Sequence, residues 1–459
     1  MRFAAGAGIL SFQMLAYSLL GIPWGLVWIL LPWAAAAAGA LRRGWRPRWT
    51  RPEPLTWIEW AALAAALAAP ILWLPYERVM PLSNRGWDAW AIWLFKAKAF
   101  AADGQVQSFL ARAGEFNAQP SYPLLVPLLA AFLLRLTGSD QAAKAISPLF
   151  FFALLAAFYG LARRFASRPV ALVFTAMLAN LHMVNIAAFE LAGYADTTLS
   201  VYLLLGAGYL YGWYRDGRTQ DAWAAAGFAG LAAWTKNEGL FFFAAVALLL
   251  LVRRPRAWAP AGAAAALTVL PWIAIRHIYE LPGADLWTGS VNWANLWPGI
   301  RSFAQAFDLG RYNLTFWLLA ASLAAYRKLA QVRRGDRAAT APSGRGSVTA
   351  FVSTSAPNRA ATKGSGCAAS DELALGLDRA WLLLPGLVLW QLAGLLGVYL
   401  GGRNDLTWWI GTSLDRILAQ VAPLALLAAA VAAERLKAPE AAPAQATPPA
   451  RKPVRGKRR

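Results

Sequence analysis

Apolar runs long enough to cross a bilayer recur along almost the whole chain, and arginine and lysine gather in the short segments between them. A spanning helix needs about 20 apolar residues, with a range of roughly 17–25, so this pattern leaves little chain for anything else. Only 15% of the 459 residues are charged and 58% are hydrophobic, whereas soluble domains carry about 25% charge. The fold class expected is an all-α polytopic membrane protein. A net charge of +21 does not make nucleic acid a partner, because the basic residues lie in short loops and a tail, the positive-inside pattern. The single cysteine, Cys367, excludes an internal disulfide and a cysteine-based metal site.

Charge sidedness orders the spans. Residues 5–40 read as a tight helix pair broken at Gly21-Ile22-Pro23 and retained rather than cleaved as a signal. Arg42, Arg43, Arg46, Arg48 and Arg51 place the next loop inside, and a helix at about 57–75 leads out to an outer loop, 76–142. Residues 122–136 resemble another span. Counting them as one would put Arg163, Arg164 and Arg168 outside, so they are read as a juxtamembrane or re-entrant helix buried against protein. Helices follow at about 143–162, 170–189, 197–214, 221–235, 239–252, 257–275 and 313–330. The Arg/Ser/Thr/Gly/Pro-rich segment 331–378 reads as a disordered cytoplasmic linker. Helices at 380–400 and 411–433 precede a basic cytoplasmic tail, 434–459. The expectation is about twelve spans: a membrane region over 1–330, its last helices in 379–433, and both termini cytoplasmic.

With that topology the remaining polar residues fall at outer helix ends: Asp88, Lys96, Lys98, Glu115, Glu190, Asp196, Lys236, Glu238, Arg403, Asp415 and Arg416. Ionisable residues at membrane depth mark functional sites by default. Asp88 lies in 84–103, where Trp87, Trp90, Ala91 and Leu94 recur at helical spacing, an amphipathic interfacial helix. Plainer readings stand beside these. Asp88 and Asp196 suit helix N-caps, Lys236 and Glu238 suit an exposed turn with a surface pair, and Asp415-Arg416 suits a local pattern without a role.

The order of these features resembles the GT-C fold glycosyltransferases, the membrane class that includes the protein O-mannosyltransferases and the aminoarabinose transferases acting on lipid A. Trp87-Asp88-Ala89-Trp90 stands where that family has an Asp in its first long outer loop. Gln119-Pro120-Ser121-Tyr122-Pro123-Leu124 resembles its Pro-containing juxtamembrane segment, although the His-Pro-Pro-Leu form is absent. Tyr194-Ala195-Asp196-Thr197, Trp234-Thr235-Lys236-Asn237-Glu238-Gly239, and Arg416 through Pro423 match its second outer Asp, its Thr-Lys turn and its late Arg. The likeness runs over roughly 85–425. It implies a polyprenyl-phosphate-linked sugar donor, a lipid, glycan or protein acceptor, and an inverting displacement in a cell membrane with the active site outside.

In that scheme Asp88 is the general base, and Asp196, Glu190 and Glu238 are active-site acids. Lys236, Arg416, Lys96 and Arg403 meet the donor phosphate. No metal site and no cofactor is expected, and the Glu that the family commonly places beside the first Asp is missing. Two rivals remain: a transporter or flippase of envelope intermediates, and a non-catalytic envelope-assembly protein.

Overall fold

The computed structural model describes residues 1–44, 54–79, 86–116, 118–254, 257–281, 290–340, 380–402 and 405–436, with backbone alone for 76–79 and 328–340. Among them there is no strand. The longer helices are α1 (Arg2–Leu19), α2 (Leu26–Arg42), α3 (Trp57–Val79), α4 (Leu94–Asp103), α5 (Leu125–Thr137), α6 (Ile146–Phe165), α7 (Arg168–Ala179), α8 (Asp196–Asp216), α9 (Thr219–Thr235), α10 (Glu238–Arg253), α11 (Trp258–Ile278), α12 (Thr315–Thr340), α13 (Leu383–Gly401) and α14 (Asp415–Leu436).

Two helices form the core. In α8 every residue from Asp196 to Trp213 except Tyr209 is buried, and in α14 every residue from Ile417 to Ala432. A helix that is apolar and buried all round belongs inside a large bundle. Around α8 pack α6, α9, α10 and α14, and around α14 pack α7, α12 and α13. The outer helices carry the opposite signature. Only Ile29 of α2 is buried, and Val27, Trp28 and Leu31 are exposed. On α11, Leu267, Leu270, Ile273 and Ile278 are exposed as well. Apolar surface of this extent marks a lipid-facing wall, and the chain is an all-α membrane protein.

Five helical segments are long and apolar enough to span, or six if the pair Arg168–Ala179 and His182–Glu190, bent by 64°, counts as one. The expected count of about twelve goes beyond this. Helices α9 and α10 have 17 and 16 residues, about 25 Å at 1.5 Å per residue, against a hydrocarbon core of about 30 Å. Helix α5 has 13 residues, and Leu125 through Ala131 are all buried. It is shorter than the span length of about 20 residues and packs against protein.

Two sequence boundaries need correction. Helix α12 continues to Thr340, ten residues into the segment read as linker. Its Ala, Gln and Arg residues favour helix until shortly before Pro342. The rest of that segment and the tail from 437 lie outside the described residues. Residues 84–103 are not one uniform helix either. A π-helical turn, Ala89–Trp93, precedes α4, and its extra residue rotates the face by about 100°. Ala89, Ile92, Trp93, Lys96, Ala97 and Phe100 are therefore buried, while Trp87 and Trp90 face outward.

Candidate functional site

Three of the four π-helical turns among the described residues border the candidate residues. Asp88 immediately precedes Ala89–Trp93, Glu190 ends Ile186–Glu190, and Asp415-Arg416 follow Ile410–Leu414. Single-turn π segments occur frequently at functional sites because they turn side chains out of the regular helical register. The turn after Glu190 lies against the first of them. Gly193, at φ +99°, brings backbone so close to Ala89 and Leu94 that an added Cβ would meet Ala89 Cβ at 3.1 Å. Ser147 fixes this turn by accepting the Gly193 N–H at 2.9 Å and donating to the Tyr194 carbonyl at 3.3 Å.

Asp88 is not a helix cap. Its backbone is already helical, its side chain makes no capping bond, and its carboxylate instead accepts Arg416 Nη1 at 2.5 Å, across 328 residues of chain. The same Nη1 lies 3.9 Å from Asp196. Asp196 caps nothing either; it accepts Lys236 Nζ at 3.0 Å and the Gln420 side-chain amide. Lys236 also pairs with Glu238 at 2.8 Å. The chain Asp88–Arg416–Asp196–Lys236–Glu238 is thus continuous, with three carboxylates against two cations. Lys236 is 7% and Asp196 2% exposed, so the exposed-turn reading of Lys236 and Glu238 fails. Buried ions on this scale persist only when paired and hydrogen-bonded.

Local sequence explains how the turn is held. An added Cβ on Gly239 would lie 2.0 Å from the Ala232 carbonyl oxygen, so only glycine lets α10 start against α9 and set Lys236 and Glu238 side by side. Arg416 is steered from three sides: Nε donates to the Thr412 carbonyl at 3.0 Å, Nη1 binds Asp88, and the Tyr194 ring stands 4.9 Å from its Cζ. Nη2 makes no hydrogen bond among the described residues. Burial, with Asp88 nearby, pushes the Tyr194 hydroxyl up to about 12, so it stays protonated; the Asp88 N–H donates to it at 3.3 Å. Several buried acceptors around the cluster lack a donor among the described residues: Glu238 Oε2, Asn237 Oδ1, Gln391 Oε1 and Gln420 Oε1.

Other expected site residues lie elsewhere. Lys96 is fully buried but makes no ion pair with the chain of charges among the described residues. It donates to the Gln119 carbonyl at 2.7 Å and lies over the stacked rings of Trp93 and Tyr122. Gln119 adopts φ +46°, an uncommon conformation for a side-chain-bearing residue, which turns its carbonyl toward the ammonium. Glu190 closes its π turn. Arg403 lies outside the described residues. Asp415 binds Arg311 at 2.8 Å rather than its neighbour Arg416, and Lys98 and Glu115 form exposed pairs with Asp140 and Arg112.

Sequence reasoning missed Gln420 and Gln391. Both were detectable as lone amides inside apolar helices; Gln420 follows Arg416 by one turn, and Gln391 donates to the Glu238 carbonyl at 2.9 Å. Among the described residues no three His, Cys, Asp or Glu side chains gather as metal ligands. No family model, curated protein or solved structure matches this chain.

Proposed function

We propose that the chain is a GT-C-like membrane glycosyltransferase that moves a sugar from a polyprenyl-phosphate donor to an acceptor hydroxyl on the extracytoplasmic face, with inversion. The topology that goes with it is the twelve-crossing one, α5 not crossing and both termini cytoplasmic. One observation carries the reading: the linked charges Asp88, Arg416, Asp196, Lys236 and Glu238, drawn from distant parts of the chain to neighbouring helix ends. Their chemistry suits a displacement at an anomeric carbon. The acceptor oxygen attacks that carbon while its bond to the lipid phosphate breaks, and the phosphate leaves with the bonding pair. Asp88 takes the hydroxyl proton, and Arg416 and Lys236 neutralise the departing phosphate through charge-assisted contacts.

The resting pairs give these events an order. A donor phosphate that captures Arg416 releases the Asp88 carboxylate, so the base is unmasked when the donor is in place. Nη2 of Arg416 offers the first contact. Asp196, buried beneath both cations, holds them together and does not meet the acceptor. The donor-less acceptors Glu238 Oε2, Asn237 Oδ1 and Gln391 Oε1 suit the hydroxyls of a sugar. An apolar cleft of about 710 Å³ lined by Phe12, Leu15 and Leu19 of α1 and Phe228 and Leu231 of α9 follows the helix that ends at Lys236, a course open to a lipid tail.

The test is sugar transfer from a polyprenyl-phosphate donor by purified full-length variants of matched stability. Asp88→Asn keeps the side-chain size and is expected to lose about 10²–10⁴-fold in turnover, the usual worth of a general base. Arg416→Ala is expected to weaken use of the donor more than turnover at saturation. Unchanged transfer in Asp88→Asn would reduce the cluster to a structural clamp and favour a non-catalytic envelope protein.

A further inference from the structure

At the opposite end of α9 lies a cavity of about 750 Å³ that the transfer reaction does not use. Its walls are Trp213 at the end of α8, Thr219 and Trp223 in the first turns of α9, and Arg253 and Arg254 at the end of α10. The acids nearby are already committed: Arg164 binds Asp221 at 2.9 Å and Asp216 at 2.7 Å, and Arg215 also binds Asp216. No carboxylate pairs with Arg253 or Arg254 among the described residues. Arg253 is held by aromatic faces instead, with Cζ 4.4 Å from the Tyr214 ring and 5.2 Å from the Trp213 ring. Helix α9 begins here without a side-chain cap, so the positive end of its dipole adds to the two guanidinium groups.

Depth identifies what such a cavity meets. Val252, beside Arg253, is 72% exposed, and Trp223 of the cavity wall and Trp258, between its lining residues Ala257 and Ala259, are exposed as well. Apolar surface giving way to tryptophan and then arginine is the profile of a membrane–water interface. We propose that this cavity binds a phosphate-bearing anion presented by a lipid headgroup, with Arg253 and Arg254 supplying the charge and Trp213 and Trp223 the walls. Basic pockets between helices at this depth suit anionic headgroups. A role in topology alone would need neither a cavity nor a guanidinium held over aromatic rings with no acid against it among the described residues.

The experiment uses the purified full-length protein in nanodiscs of phosphatidylcholine, alone or mixed with phosphatidylglycerol, reading retained lipid by native mass spectrometry and the thermal unfolding midpoint. A separate arm adds inorganic phosphate to the phosphatidylcholine discs. The wild type is expected to retain phosphatidylglycerol selectively and to melt higher in its presence. Arg253→Gln with Arg254→Gln should weaken that binding roughly 30-fold, and the corresponding pair of lysine substitutions should keep most of it. The Arg254 side chain makes no hydrogen bond or ion pair among the described residues, so Arg254→Gln alone reads the charge without disturbing the aromatic cradle; roughly fivefold weakening is expected. Stabilisation by inorganic phosphate with no lipid selectivity would overturn the lipid assignment. Equal retention by the double glutamine variant, or no preference for phosphatidylglycerol and no phosphate effect, would overturn the site.

Discussion

Helices α8 and α9 run side by side between two sets of ion pairs, and the two ends treat their charges differently. At one end Arg164 ties Asp216 to Asp221 with its side chain 20% exposed, and Arg168 reaches Glu59 of α3. Glu59 belongs to a capping box, in which Thr56 Oγ1 accepts the Glu59 N–H and Glu59 accepts the Thr56 N–H at 2.8 Å. These pairs fasten helix to helix through arginines about one-fifth exposed, which reach in to the buried Glu59 and Asp221. At the other end Asp196 and Lys236 are almost completely desolvated, Asp88 and Arg416 join them, and several acceptors have no donor among the described residues. A fold that needed only fastening would have no use for the second arrangement, since apolar residues of similar size usually stabilise as well or better. The difference separates charges that hold the bundle from charges that the bundle holds.

The largest effect expected on stability follows from that contrast. Lys236→Met strands Asp196 and Glu238 in the interior, and breaking a buried pair typically costs about 3–5 kcal/mol. Arg164→Met leaves Asp216 paired with Arg215 and strands only Asp221, one acid rather than two, so about 1–2 kcal/mol is expected between the surface and buried limits. Thermal unfolding of both variants in one detergent checks the order; equal shifts would erase the distinction between the ends. A smaller effect belongs to the turn itself. Gly239→Ala forces its methyl against the Ala232 carbonyl, which overpacking data put at about 1–3 kcal/mol. Because it displaces Lys236 and Glu238, donor use should fall further than the midpoint does.

Much of this was legible in the sequence, and the losses have physical causes. The membrane class followed from apolar runs, and the gathering of Asp88, Asp196, Lys236, Glu238 and Arg416 followed from placing them on one side. Span counting was less secure because α9 and α10 are shorter than a bilayer core, so hydropathy alone does not say how they sit. The face of residues 84–103 was misread because a regular period cannot anticipate the π turn at Ala89–Trp93. Asp88 and Asp196 suited caps by residue type, yet a cap is decided by backbone angles that the tertiary pairing overrode. Gln391 and Gln420 passed unnoticed because a single amide hardly changes the hydropathy of its helix.

Lys96 sharpens the comparison, being a buried cation with no acid against it among the described residues. Burial pulls its ammonium down to about 7 from an ordinary 10.5. Below about 7 it is protonated both folded and unfolded, and the fold bears the full cost of burying the charge. Between about 7 and 10.5 the unfolded chain holds a proton that the folded chain has given up, so stability rises with pH there, by at most about 1.4 kcal/mol per pH unit. Lys96→Met removes the titration. The gap between wild type and variant should therefore move in favour of the wild type as pH is raised through that window, while their difference stays level at lower pH. Unfolding midpoints at several pH values test it directly. A difference that stays constant across the window would mean that the Gln119 carbonyl and the Trp93 and Tyr122 rings hold Lys96 as a permanent cation, paired in effect as firmly as Lys236.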